Sequence, residues 1–193
     1  MDYKKHINGI CKTCFFHIRN ISRIRKYLSI DNTKILVHAF ITCKLDHCNS
    51  LLYGLPSFLI HKLQLVQNCA ARLIMCRSKY DHITPILKEL HWLPVQQRIV
   101  FKILLITYKA LNGLAPIYIN NLLSRYVPTR QLRSSSQCLL DVPSSHLKTY
   151  GDRAFSICAP KLWNNLPHDI KCSSNINSFK TMLKTHLFRQ AYK

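Results

Sequence analysis

Apolar residues recur along this chain mainly at helical spacing. Near the N-terminus Ile7, Cys14, Ile18, Ile21 and Leu28 share one helix face, while Lys12, Arg19, Arg23 and Lys26 share another at steps of seven, four and three. Ser29 or Asp31 is placed to cap a second helix, whose apolar positions run from Ile35 to Leu52 and which Tyr53-Gly54-Leu55-Pro56 stops. The third pattern is the cleanest: Leu59, Leu63, Val66, Ala70 and Leu73 repeat at four and three, with His61, Gln64, Asn68 and Arg72 on a polar face. A short helix around Pro85–Leu90 leads to Leu93-Pro94. The helix that follows, roughly 94 to 112, is apolar nearly all round, which predicts a central, buried position; its polar stripe is Arg98, Lys102 and Lys109. Asn112-Gly113 ends it, and Pro116 opens a short amphipathic helix through Leu123.

Past Val127 the character changes. Pro128, the Ser134–Ser136 run and Pro143-Ser144-Ser145 bracket a short apolar patch, Cys138–Val142, which reads as a loop or small strand pair. Helical patterning returns over Asp152–Asn165, with Pro160 inside it or ending its first part. Ser178 or Asn177 then caps a last helix with Phe179, Leu183 and Leu187 inward and Lys180 and Lys184 outward. The whole predicts a mainly α fold, a multi-helix bundle of six to eight helices with a small irregular or β insert near 128–148. The composition shift suggests a helical part over 1–126 and an insert plus C-terminal helical unit over 127–193, or one continuous domain.

Hydrophobic residues make up 48% of the 193 positions, enough for a core. Charge changes the picture more. Lys and Arg total 28 against 8 Asp and Glu, a net +20, and such an excess repels itself unless a polyanion neutralises it. The few acids stand singly, so no carboxylate pair is presented for two-metal or glycosidic chemistry. There is no P-loop, no G-x-G-x-x-G, no G-x-S-x-G and no H-E-x-x-H, and nine cysteines with ten histidines single out no nucleophile pair. The expectation is a chain that is not an enzyme and carries no cofactor. Cys11-x-x-Cys14 with His17 has metal-ligand spacing, with Cys43, His47 and Cys48 as further candidates. Structural zinc pairs sit on knuckles rather than inside helices, so thiols without metal are the preferred reading. The N-terminus lacks a signal-peptide core and no apolar run can span a bilayer, which points to an intracellular chain, nuclear or cytoplasmic, without a membrane partner.

The basic stripes carry the functional signal. Lys12, Arg19, Arg23 and Lys26, then Arg72, then Arg98, Lys102 and Lys109, space cations one or two helical turns apart, as a phosphate backbone requires. Arg130 and Arg133, with Arg125 and Lys148, add charge in the irregular segment, where Tyr126 and Tyr150 offer stacking surfaces. The predicted partner is RNA or DNA, held non-specifically through phosphates. The competing reading is a basic interaction or structural module, its charged faces solvated or turned to acidic protein.

Three segments together carry a family likeness: Lys44–Pro56 (Lys-Leu-Asp-His-Cys-Asn-Ser-Leu-Leu-Tyr-Gly-Leu-Pro), Leu90–Ile99 with Tyr108–Pro116, and Tyr150–Pro167. In that order they resemble the C-terminal tail of the polymerase polyproteins of LINE-type (non-long-terminal-repeat) retrotransposons, of the chicken-repeat-like clades, over about Cys11 to Phe188. His47 stands where that family more often shows Tyr. The resemblance implies a thumb-like, post-palm helical part that grips template and primer or packs against an upstream reverse transcriptase palm. The palm's Asp-Asp metal site has no counterpart in this sequence, so the resemblance implies a non-catalytic fragment of an RNA-directed DNA polymerase, or a relic of one.

Overall fold

A computed structural model describes residues 2–127, 138–145, 147 and 149–193. It is mainly α-helical, and among the described residues the only β pairing is an isolated antiparallel bridge between Arg125 and Leu140. The fold forms two compact units, Met1–Ile99 with Phe188–Lys193, and Val100–Leu187, whereas the composition shift suggests a division near 126/127.

In the first unit, α1 (Tyr3–Ile24) starts where the Asp2 carboxylate accepts hydrogen bonds from the Lys4 and Lys5 amides at 3.0 and 3.2 Å. Its buried positions, Ile7, Cys14 and Ile21, recur every seventh residue, as a helix with one apolar stripe demands. A 3-10 turn (Arg25–Tyr27) closes it. Ser29 caps α2 (Ile30–Val37), its hydroxyl accepting from the Asn32 amide at 3.1 Å. The chain then passes through a π-helical turn (His38–Thr42) into α3 (Cys43–Asp46), burying Val37, Ile41 and Leu45. The helix expected to reach Leu52 stops at Asp46 instead. Cys48 takes a left-handed conformation (φ 51°), and Asn49–Leu52 form a 3-10 turn.

Pro56 precedes α4 (Ser57–Met75), which buries Leu59, Leu63, Val66, Ala70 and Ile74. Leu73, expected inward, is only half-buried, because a 3.6-residue period drifts past a strict four-three repeat over five turns. Gln64 and Gln67 do unexpected work on this helix. The Gln64 side-chain Oε1 accepts from the Val95 amide at 2.9 Å, and the buried Gln67 Nε2 donates to the Leu93 carbonyl at 2.9 Å. They satisfy the chain just where Pro94 opens α6 (Val95–Leu111). α5 (Ile83–Glu89), with Pro85 in its first turn, packs Ile86 and Leu87 on Ala71 beside Met75, Trp92 and Tyr192. The Tyr192 hydroxyl donates to the Trp92 carbonyl at 2.6 Å.

The second unit is organised around aromatic rings. Tyr108 on α6 stacks on Phe179 at 4.2 Å between centroids, and Trp163 stacks on the same ring at 6.1 Å. Phe179 belongs to α10 (Ile176–Ala191), whose Leu183 and Leu187 are also buried, as the sequence pattern predicts. The cap of α10 is Asn175 rather than Asn177 or Ser178: its side chain accepts from the Ser178 amide at 2.8 Å. Between these helices lie α7 (Ile117–Asn120), α8 (Phe155–Asn164) and α9 (His168–Lys171). Trp163 donates from Nε1 to the Cys138 carbonyl, and Asn164 pairs with Leu140 through both its amide atoms at 2.8 and 2.9 Å. The described end of the insert is thereby fixed to α8. Gly151 opens the turn before α8, and a Cβ there would collide with the Ser145 hydroxyl.

Candidate nucleic-acid interface

The ends of α1 and α4 create a basic groove in the first unit. Helix α4 finishes at Cys76 in the left-handed conformation (φ 50°), its amide donating to the Arg72 carbonyl. The Ser78–Asp81 turn follows, closed by the Asp81 amide on the Ser78 carbonyl and by the Ser78 amide on the Asp81 carboxylate at 3.0 Å. This turn brings Arg77 and Lys79 to Arg72 and, from the far end of α1, to Arg25 and Lys26. The resulting groove encloses about 730 Å³, with Ile18, Ser22, Cys69, Leu73 and Cys76 completing its wall and no acidic side chain lining it.

Its five cations divide by role. Arg25 is half-buried and held by all three nitrogens: Nε and Nη2 donate to the Leu73 and Ile74 carbonyls at 3.0 and 2.8 Å, and Nη1 to the Leu28 carbonyl at 2.8 Å. It thereby occupies carbonyls that the end of α4 leaves without helical partners, next to the negative end of that helix. Arg72 donates from Nη2 to the Asp81 carbonyl at 3.0 Å, while its buried Nε meets no protein acceptor. Lys26, Arg77 and Lys79 are exposed. None of the three forms an ion pair among the described residues, so Arg25 and Arg72 form a fixed positive floor and the other three supply exposed charge.

A tyrosine follows each of the two groove-lining lysines. The Lys26 ammonium lies 4.8 Å from the Tyr27 ring centroid, and the Lys79 ammonium lies 4.8 Å from that of Tyr80. The rings are 77% and 83% exposed.

The cations anticipated from sequence fall into distinct places. Lys12, Arg19 and Arg23 are exposed along α1, about 16 Å from first to last at 1.5 Å per residue, and lead toward Lys26. Arg72 and Lys26 line the groove itself. Arg98 is otherwise occupied: its Nη1 meets both Asp46 carboxylate oxygens at 2.9 Å, and its side chain is 19% exposed. It serves to join α6 to α3 and is not a free member of a stripe with Lys102, which is exposed, and Lys109, which is half-buried. Arg130, Arg133 and Lys148 lie outside the described residues. Tyr126 and Tyr150 are exposed in the second unit.

Arg25, Arg77 and Lys79 escape a search for helical stripes because they sit in turns. A signal was nevertheless present, since Arg25-Lys26-Tyr27 and Arg77-Ser78-Lys79-Tyr80 repeat one basic-then-aromatic pattern at the ends of two helices.

A second groove, of about 1030 Å³, is larger but chemically mixed. His6, His17, His47 and Lys5 share it with Asp2, Ile10 and Phe40, and His17 stacks on Phe40 at 5.0 Å. Among the described residues no three His, Cys, Asp or Glu side chains are grouped to hold a metal ion. The thiols nearby behave as packing groups: burial pushes Cys14 up to about 11, and Cys158 in the second unit likewise. Among the described residues no helix is long and apolar enough to cross a membrane. No protein-family model, no curated protein and no solved structure matches the chain.

Proposed function

We propose that this chain is a non-catalytic nucleic-acid-binding module that takes a phosphate backbone into the groove between the ends of α1 and α4. The observation that carries the reading is the convergence of Arg25, Lys26, Arg72, Arg77 and Lys79 on one groove with no acid in its lining. Bringing like charges together disfavours the fold unless something recovers that energy, and a polyanion does so by displacing condensed counterions. The pinned guanidiniums of Arg25 and Arg72 position charge without loss of side-chain freedom on binding. Lys12, Arg19 and Arg23 extend the same charge along α1.

The resemblance of three segments to the post-palm tail of LINE-type reverse transcriptases supports the same role: a helical part that holds template or primer beside a palm supplied from upstream. On this reading the chain works inside the cell, on RNA or DNA, without chemistry of its own. One observation favours an additional protein contact. Phe16 and Phe40 in the first unit are both exposed by more than a third and both pack on the His17 ring, an exposed aromatic cluster suited to packing on another domain such as that palm.

Fluorescence anisotropy with labelled RNA and DNA of one sequence tests the binding. Affinity should fall linearly in log–log form with salt, and the charge-reversed pair Arg77→Glu, Lys79→Glu should weaken it at least tenfold at low salt. No binding by either nucleic acid at low salt would sink the reading.

A further inference from the structure

The tyrosines paired with the groove-lining Lys26 and Lys79 point to the kind of nucleic acid the groove takes. We infer that the groove is a single-strand site, in which Lys26 and Lys79 meet phosphates while Tyr27 and Tyr80 stack on unpaired bases. The inference rests on the proposed groove function and names its ligand.

Each pair is built alike. An ammonium that lines the groove sits 4.8 Å from the ring of the next residue, so phosphate-binding and stacking groups are separated by less than one nucleotide. Both rings expose more than three-quarters of their surface. A tyrosine this open gains little from the fold, and a lysine resting on one face leaves the other for a flat partner. The ammonium also polarises the ring it covers, an arrangement met where cations and bases share an aromatic platform. A duplex keeps its base faces stacked inside and offers only phosphates and groove edges, so it can engage Lys26 and Lys79 but not the rings. The two pairs come from sequence positions over fifty residues apart, and only the fold brings Lys26 and Lys79 to one groove. The wall between them, Ile18, Cys69 and Leu73, is partly apolar, which suits sugar and base edges better than solvent.

The test compares three probes on the full chain: an oligothymidylate, a fully abasic strand of the same length, and a duplex. The thymidylate should bind at least tenfold more tightly than the abasic strand. Tyr27→Ala and Tyr80→Ala should each cost about tenfold with thymidylate, on the scale of base–aromatic stacking, and leave the abasic strand unaffected. Tyr27→Phe and Tyr80→Phe should keep the affinity, since the ring and not the hydroxyl is used. Circular dichroism of each variant guards against unfolding, which these exposed positions should not cause. Equal binding of thymidylate and abasic strand, or tighter binding of duplex, overturns the single-strand assignment while the phosphate groove stands. Failure of all three probes removes both.

Discussion

Arginines that look alike in the sequence do different things in the fold. Arg25 donates once from each of its three nitrogens to carbonyls at the end of α4 and at Leu28, whereas Arg77 five residues past Arg72 reaches solvent. Arg25→Ala should therefore cost about 2 kcal/mol in urea unfolding, because it strips several part-buried carbonyls of their partner. Arg77→Ala should stay within about 0.5 kcal/mol and show its effect in binding alone. Equal stability losses would mean the division between floor and exposed cations is wrong. Burial similarly separates the thiols. Cys14 and Cys158 are raised to about 11 by desolvation, so alkylation at pH 8, followed by mass spectrometry, should spare them while labelling exposed Cys43, Cys48 and Cys76. Tyr192 is raised to about 12, again first by desolvation, with Arg98 opposing. These groups ionise earlier in the unfolded chain, near 9.0 for the thiols and 10.0 for the phenol. Their contribution is complete below pH 9 and is lost as pH rises toward 11 and 12. A melting temperature that holds level from pH 8 to 11 would contradict that.

At the scale of elements, much was legible because it depends on period alone. The inward set Phe179, Leu183 and Leu187 follows from spacing, and so does the centrality of α6, whose Val95, Ile99, Ile103 and Leu104 are buried. What spacing could not show is where a helix breaks by backbone conformation, as at left-handed Cys48, a residue with no glycine signal. Nor could it show partners: Arg98 reads as one more cation on a polar face until Asp46, fifty-two residues earlier, is brought against it. The groove was half legible for the same reason. Lys26 and Arg72 lie on helical stripes, but Arg77 and Lys79 sit in a turn whose geometry is set by Asp81. Gln67 offers an element-scale test. Gln67→Ala removes the only protein donor shown for the Leu93 carbonyl and leaves a buried gap, so thermal unfolding should register a loss of about 2 kcal/mol. Gln67→Glu should be worse, placing a charge at a position 1% exposed, and a neutral result for either would mean the α4–α6 junction is not organised by this contact.

For the whole molecule, a net charge of +20 means that some affinity for any polyanion is expected, so binding by itself says little about the groove. The discriminating quantity is where the affinity resides. If four phosphates are engaged at the groove, the log–log salt slope for single-stranded nucleic acid should be near −3, at about −0.7 per phosphate. The decisive measurement is that slope for the native chain beside two double reversals of equal charge, Arg77→Glu with Lys79→Glu in the groove and Lys180→Glu with Lys184→Glu on the outer face of α10. The groove variant should lose at least tenfold in affinity and about 1.5 from the slope, while the α10 variant should change little. Equal losses in the two variants, or a groove variant indistinguishable from the native chain, would contradict the groove's role.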